Sequence, residues 1–245
     1  RKVFMFKISF CTVCRNRLEH LKETIFSNLE KIVSDNNSEL VLLNYNDSEG
    51  LDDFVNKNLL YFIKKQKLIY LKENASPFFD FSKSKNIAHF AADGDFLLNL
   101  DADNFLTNEI IASYRKIWSD SPNILIHGYS KNYGGTHGRI GVSKQVFYKL
   151  GGYDEDIGFY YEDHDFIKRG IKCGLKYANI FDDKNVQCIE HAIQKTTENA
   201  SNPAIEANKH FLINKTKSES KSNVRRNSFR RKCRIVKNFS QIIYI

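Results

Sequence analysis

No stretch of this sequence approaches the ~20 consecutive apolar residues that span a bilayer, so a soluble chain is expected. There is no disulfide framework either. The five cysteines, Cys11, Cys14, Cys173, Cys188 and Cys233, are odd in number and irregularly spaced, which points to a reducing, cytoplasmic compartment. Cys11 and Cys14 do form a C-x-x-C, but Ile8 to Val13 reads as a buried strand and no second pair supplies zinc with its remaining ligands. The first strand is not followed by a glycine-rich, lysine-bearing phosphate loop, which argues against a nucleotidyltransferase. No internal repeat is visible. The opening Arg1-Lys2-Val3-Phe4 is too short and too interrupted for a secretory signal, and without an initiating methionine the chain reads as trimmed or excerpted, with any upstream targeting information lost.

What is present is 245 residues, enough for one sizeable domain with a full core. The net charge of +8 belongs to one segment. From Lys215 to Lys237 ten basic residues face the single Glu219, a local balance of +9 that leaves −1 for the rest. The expected division is therefore a catalytic domain over 1–213 and a basic tail over 214–245. Such a tail suits an anionic membrane surface on the cytoplasmic side or a nucleic acid; a solvated charge run is the plainer alternative. Nucleic acid is not the partner expected of the domain itself.

The first half alternates strand and helix patterns. Lys7–Val13, Glu39–Tyr45, Lys67–Leu71 and Asp95–Leu100 read as strands. Leu18, Leu21, Ile25 and Leu29 share one helical face; Phe54, Leu59, Tyr61 and Phe62 do so less regularly, and Ile87, Phe90 and Ala91 mark a third helix. This β-α series predicts an α/β fold, a mixed and mostly parallel sheet flanked by helices, with ligands bound beyond the carboxyl ends of the strands. The segments after Val13, Tyr45 and Leu100 then share one rim. In the second half helices are expected at Glu109–Trp118, Ser143–Leu150 and Tyr161–Cys173, with a short strand at Ile124–His127 and a glycine-rich stretch from Gly134 to Gly141.

The fourth strand breaks directly into Asp101-Ala102-Asp103. Strand geometry puts residues two apart on one face, so the two carboxylates converge where the chain leaves the sheet. Hard oxygen ligands with open positions suit Mn²⁺ or Mg²⁺ bridging a nucleotide diphosphate.

Around this pair the chain resembles glycosyltransferase family 2, whose R-N-x-G, A-x-G-D-Y-I and D-A-D motifs appear as Lys85-Asn86-Ile87-Ala88, Ala92-Asp93-Gly94-Asp95-Phe96 and Asp101-Ala102-Asp103. Lys85 keeps the charge of the usual arginine and loses its fork. The chain is also similar to the β-1,4-galactosyltransferases of family 7. Thr12-Val13-Cys14-Arg15-Asn16-Arg17-Leu18-Glu19-His20-Leu21 resembles I-P-F-R-N-R-x-x-H-L, and Phe79 with Lys83 fits F-x-x-x-K. Gly151 to Glu155 and Gly158 to Asp165 resemble N-G-F…G-W-G-G-E-D-D-D, with Tyr160 and Tyr161 replacing two glycines. Cys188-Ile189-Glu190-His191 resembles M-x-x-H, and Asn199 to Pro203 a segment closing over donor.

These resemblances imply a GT-A fold, Rossmann-like in its nucleotide half, and an inverting, metal-dependent transfer from a UDP-sugar to a glycan or lipid-linked saccharide at the inner membrane face. By the same resemblance Asp163 is the base, Glu162 binds acceptor hydroxyls and Phe159 stacks on acceptor sugar; an acidic helix start is the plainer reading of the carboxylates. Asp103, Asp101 and His191 would hold the metal, with Cys188 a further candidate. Donor contacts are expected from Thr12, Arg15, Arg17, Asn44, Phe79, Lys83, Lys85, Asp101, Ala102 and Gly138. For the arginines an exposed helix start, for Phe79 core packing and for Gly138 an ordinary turn remain open.

Overall fold

β1 (Ile8–Cys14) and β2 (Ser38–Tyr45) are buried along nearly their whole length, as strands covered on both faces must be. The computed structural model describes residues 6–130, 134–157, 160–182, 184–190 and 234–245. Between β1 and β2 lies α1 (Leu18–Asp35), which seats Leu18, Leu21, Ile25, Leu29 and Ile32 on the sheet. Each such side chain contributes roughly 1.5–3 kcal/mol by leaving water. α2 (Leu51–Asn58) and α3 (Leu60–Lys64) lead to β3 (Leu68–Glu73), and α4 (Phe81–Phe90), capped by the Asp80 carboxylate, leads to β4 (Phe96–Asn99).

After β4 come the short β5 (Asn104–Phe105), α5 (Asn108–Asp120), β6 (Ile124–Tyr129), a 3-10 turn at Gly134–Thr136, β7 (Arg139–Ser143) and α6 (Lys144–Leu150). α7 (Glu162–Lys172), β8 (Lys176–Phe181), β9 (Gln187–Cys188), β10 (Arg234–Lys237) and β11 (Gln241–Tyr244) complete the described elements. The main sheet runs β11-β10-β3-β2-β1-β4-β7-β6-β8, and β5 pairs with β9 in a ribbon of two. β3, β2, β1 and β4 are mutually parallel, while β7 runs antiparallel to β4 and to β6. The four predicted parallel strands are present within a residue or two. One apolar layer, with α1, α2 and α5, covers one face; a second, with α4, α6 and α7, covers the other.

β1 sits between β2 and β4, so the chain leaves it first to one side and then returns to the other. Such a reversal opens a crevice at the carboxyl ends of the two central strands. The amino ends of these strands, at the other edge of the sheet, are tightly made. Buried Glu39 accepts from Ser9 Oγ at 2.6 Å and from the Asp93 amide at 2.8 Å, pinning the turn into β4. A Cβ on Gly94 would stand 2.5 Å from Ser9 Oγ and 2.8 Å from the Ser9 amide nitrogen, so only glycine fits there.

Two expectations are refined. Cys11 and Cys14 are buried on β1 but belong to opposite apolar layers, so they do not form a paired site, and burial raises the pKa of both thiols. The basic tail expected from residue 214 is not uniformly outside the sheet: β10 and β11 form a hairpin antiparallel to β3, with Ile235 fully buried and Ile243 and Ile245 against the core. Ile235-Val236 and Ile242-Ile243 are apolar pairs too short to mark strands in the sequence after so many basic residues. Among the described residues no helix is long and apolar enough to cross a membrane.

Candidate active site

The crevice holds a cavity of about 440 Å³. Asp101, Ala102 and Asp103 form its floor, and Arg17, His20 and Phe79 come from the β1 and α4 side. Tyr160 to His164 close the opposite wall, with His127, His137 and Gly138 beside it. The D-x-D motif and the acid run, 62 residues apart by Asp101 and Asp163, thus face one space.

The D-x-D turn is gripped from α1. Thr24 Oγ1 donates to the Ala102 carbonyl at 2.6 Å, and Asn28 donates to the Asn104 carbonyl at 2.8 Å while accepting from the Leu106 amide at 2.7 Å. Both side chains are buried on the apolar face of α1. They went unnoticed in sequence; the signal was two polar residues four apart within the Leu21, Ile25, Leu29 stripe. On the other side, Asn99 Nδ2 donates to Asp101 Oδ1 at 3.0 Å and to the Gly138 carbonyl at 3.1 Å.

Burial pushes the Asp101 carboxyl up; the Lys85 charge opposes this and the Asp103 charge adds to it, with a raised net value. A buried Asp101 carboxyl raised by desolvation and by the neighbouring Asp103 charge fits a divalent cation, which would relieve both effects. Cys188 is nearby: at the position a Gly135 Cβ would take, its sulfur is 3.0 Å away and Asp103 Oδ2 3.9 Å. Among the described residues no group of three or more His, Cys, Asp or Glu is placed to hold a metal ion, so the described donors amount to the Asp101 and Asp103 pair. His191 and Phe159 lie outside the described residues.

Gly138 earns its place by proximity to this pair. A Cβ there would lie 2.8 Å from Asp101 Oδ2 and 3.3 Å from Asn99 Nδ2. Gly138→Ala is expected to leave the fold intact by circular dichroism but to weaken Mn²⁺ binding about tenfold or more, as losses of ligand orientation do. Unchanged Mn²⁺ affinity would show that Asp101 can shift without consequence.

Lys85, on α4, reaches across to the acids of α7. Its ammonium is 2.7 Å from Glu162 Oε1 and 2.8 Å from Asp163 Oδ1, joining α4 to the first turn of α7. Burial works against its charge, but Asp163 and Glu162 outweigh it and the pKa is raised. Burial likewise drives Asp163 up, Lys85 pulls it down and Glu162 pushes it up again; the carboxyl is pushed up to about 7. That value suits a proton acceptor near neutrality.

α7 starts without a side-chain cap, from Tyr160 at φ 56° and Tyr161 at φ 69°. Left-handed backbone costs a tyrosine about 1–2 kcal/mol, whereas a glycine loses about 0.5–1 kcal/mol in chain entropy on folding. Tyr161→Gly is therefore expected to raise stability by about 0.5–1 kcal/mol in urea unfolding. A loss instead would mean that the ring contact with His164, centroids 5.9 Å apart, outweighs the strain. Tyr160 also meets Phe81 edge-on at 5.7 Å, and both rings line the cavity.

No protein-family model matches the sequence, and no curated protein matches it. Solved structures do. PcManGT, a mannosyltransferase from Pyrobaculum calidifontis in complex with GDP-Man and Mn²⁺, superposes with a TM-score of 0.66 at 14% identity, over 90% of this chain and 66% of its own. Residues 1–349 of S. aureus TarS in complex with UDP-GlcNAc give 0.63 at 15%, over 85% and 67%. The longer TarS structure gives 0.60 at 15%, over 74% and 36%. The fold is GT-A. This chain spans between 36% and 67% of the length of those solved chains.

Within the GT-A frame the expected donor residues divide. Arg17, Phe79, Lys85, Asp101, Ala102 and Gly138 line the cavity. Arg17 carries a buried Nη1 without a hydrogen-bond partner, an unmet donor suited to a phosphate or base oxygen. Arg15 also reaches the cavity, but its guanidinium is engaged by the Ser76 carbonyl at 3.0 Å and the Pro77 carbonyl at 2.7 Å. Three others do not line it. Thr12 is buried within β1, Asn44 is buried against Asp52 and Tyr70, and Lys83 donates to Ser76 Oγ at 2.9 Å. Strand ends and helix faces are legible in sequence; which way a residue on them turns is decided by its neighbours. Sequence reading also passed over His127, whose ring nitrogens lie 2.8 Å from Tyr177 Oη and from the His137 carbonyl.

Proposed function

We propose that this chain is an inverting, metal-dependent glycosyltransferase that moves a hexose or N-acetylhexosamine from a UDP-sugar to a saccharide acceptor, a glycan or a lipid-linked chain. The observation that carries the reading is one cavity with the Asp101 and Asp103 pair on its floor and the Lys85, Glu162, Asp163 cluster on its wall. The GT-A fold, shared with enzymes bound to GDP-Man and UDP-GlcNAc, supports it. The order of the family 2-like and family 7-like motifs supports it as well.

Asp103, Asp101 and His191 would hold Mn²⁺ or Mg²⁺, with Cys188 as a further ligand. A divalent ion held there would supply positive charge for a departing diphosphate. Arg17 binds the nucleotide or its phosphates, and Phe79 packs beside it. Asp163 removes the proton of the acceptor hydroxyl as that oxygen attacks the anomeric carbon from the face opposite the leaving diphosphate, which inverts the centre. Glu162 orients acceptor hydroxyls, Phe159 stacks on the acceptor ring, and Lys85 holds the two carboxylates in place. The basic segment before β10 would bring the enzyme to an anionic membrane surface on its cytoplasmic side.

The test is a panel of UDP-galactose, UDP-N-acetylgalactosamine and UDP-N-acetylglucosamine with Mn²⁺, scored by UDP release. One donor is expected to be turned over, with release lost on chelation. No release from any nucleotide sugar would overturn the reading.

A further inference from the structure

Arg139 is a fully buried guanidinium at the start of β7, and it has a job that neither the D-x-D motif nor the base cluster accounts for. Its Nε donates to Asn104 Oδ1 at 2.9 Å, and its Nη2 to the carbonyls of Phe105 at 2.8 Å and Gln187 at 2.7 Å. All three acceptors are neutral, and Nη1 is buried with no partner. A buried cation used in this way is costly, so its contribution lies in what it holds.

It holds both strands of the β5–β9 ribbon, in which Asn104 pairs with Cys188 and Phe105 with Gln187. It also fixes the Asn104 side chain. With Oδ1 occupied by Arg139, Asn104 turns its Nδ2 toward Asp103 Oδ1 at 2.7 Å and the Gly135 carbonyl at 3.1 Å. An amide held at its oxygen can present only its NH₂ to the carboxylate. That bond fixes the carboxylate's orientation, with Oδ2 on the side of Gly135 and the Cys188 sulfur. Asn28 fixes the Asn104 backbone through a 2.8 Å bond to its carbonyl, so the residue is immobilised at both ends.

We propose that Arg139 and Asn104 form a buried relay that orients Asp103 for the divalent cation. Both are positioning residues, with no contact to substrate. The inference rests on the metal site proposed above. Partners of this kind, set behind a ligand, change metal affinity about 10–100-fold when removed.

The experiment measures Mn²⁺ affinity of the purified chain by electron paramagnetic resonance of unbound Mn²⁺, with circular dichroism and thermal melting as fold controls. Asn104→Ala is expected to weaken Mn²⁺ binding about 10–100-fold with the fold retained. Arg139→Lys keeps the charge, loses the fork that spans Asn104 and the ribbon, and is expected to weaken it in the same direction. The double variant should lose more than Asn104→Ala alone but less than the sum of the two single losses, because the arginine acts partly through the asparagine and partly through the ribbon that carries Cys188. Asn104→Gln, which keeps the amide on a longer arm, should fall between Asn104→Ala and the wild type. Wild-type Mn²⁺ affinity in a folded Asn104→Ala, or fully additive losses in the double variant, would overturn the relay while leaving the metal site standing. Failure of the wild-type chain to bind Mn²⁺ would overturn the metal site and the relay together.

Discussion

Asp163→Asn is expected to cut donor turnover about 10²–10⁴-fold, the usual worth of a positioned base, while Mn²⁺ and UDP bind as before. The substitution keeps shape and removes the ability to take a proton, along with one of the two carboxylate charges facing Lys85, leaving Glu162 to pair with it. Asp163 and the Asp101 and Asp103 pair line one cavity, and the Asp101 charge is felt at Asp163, so Mn²⁺ and UDP binding are measured alongside turnover. On the proposed mechanism the rate of UDP release should rise with pH and level off once Asp163 is ionised; burial pushes its carboxyl up to about 7 in the metal-free chain, and a cation on Asp101 would bring the limb lower. Release kinetics across pH 5.5–8.5, with Mn²⁺ saturating, make the check. Turnover within a few-fold of wild type in the asparagine variant would remove Asp163 from the mechanism.

Lys85→Met should have the largest effect on stability. The ammonium is buried between Glu162 and Asp163, and its removal leaves two carboxylates without a counter-charge, a loss of about 3–5 kcal/mol for a buried pair broken from one side. The pH dependence has a definite sign. The folded-state pKa of Asp163 is already raised, and Lys85 is the charge that holds it down. Without Lys85 the pKa rises further, so the folded state is penalised most at high pH and recovers as acid protonates the carboxyl. Urea unfolding at pH 5.5 and 8.5 should show the greater deficit at 8.5, and the acid limb of UDP release should move to higher pH. Lys85→Arg, which retains the charge, should recover most of both. An equal deficit at the two pH values would mean that Lys85 acts by packing, through its stem and the Tyr153 ring 5.2 Å from its ammonium.

Lys85 also marks where sequence stopped being informative. Its place in an R-N-x-G-like motif led to a donor contact, and it does line the cavity. The partners that engage its charge, however, lie 77 and 78 residues away on α7. A motif reports which residue types recur together along the chain and is silent about which charge across the crevice will meet them.

Sequence alone determined the parts of this protein that are local. Strand periodicity located β1 to β4, the break after an apolar strand located Asp101 and Asp103, and the run of acids after Tyr161 located the start of α7. Each depends on spacing within a few residues, which backbone geometry converts directly into facing side chains. Tertiary structure alone decided that Thr12, Asn44 and Lys83 do not line the cavity, that Thr24 and Asn28 grip the D-x-D turn while Arg139 holds the ribbon after it, and that β10 and β11 extend the sheet. Those outcomes depend on burial. A polar or charged side chain taken out of water must find its partner inside the fold, and packing alone brings that partner within reach.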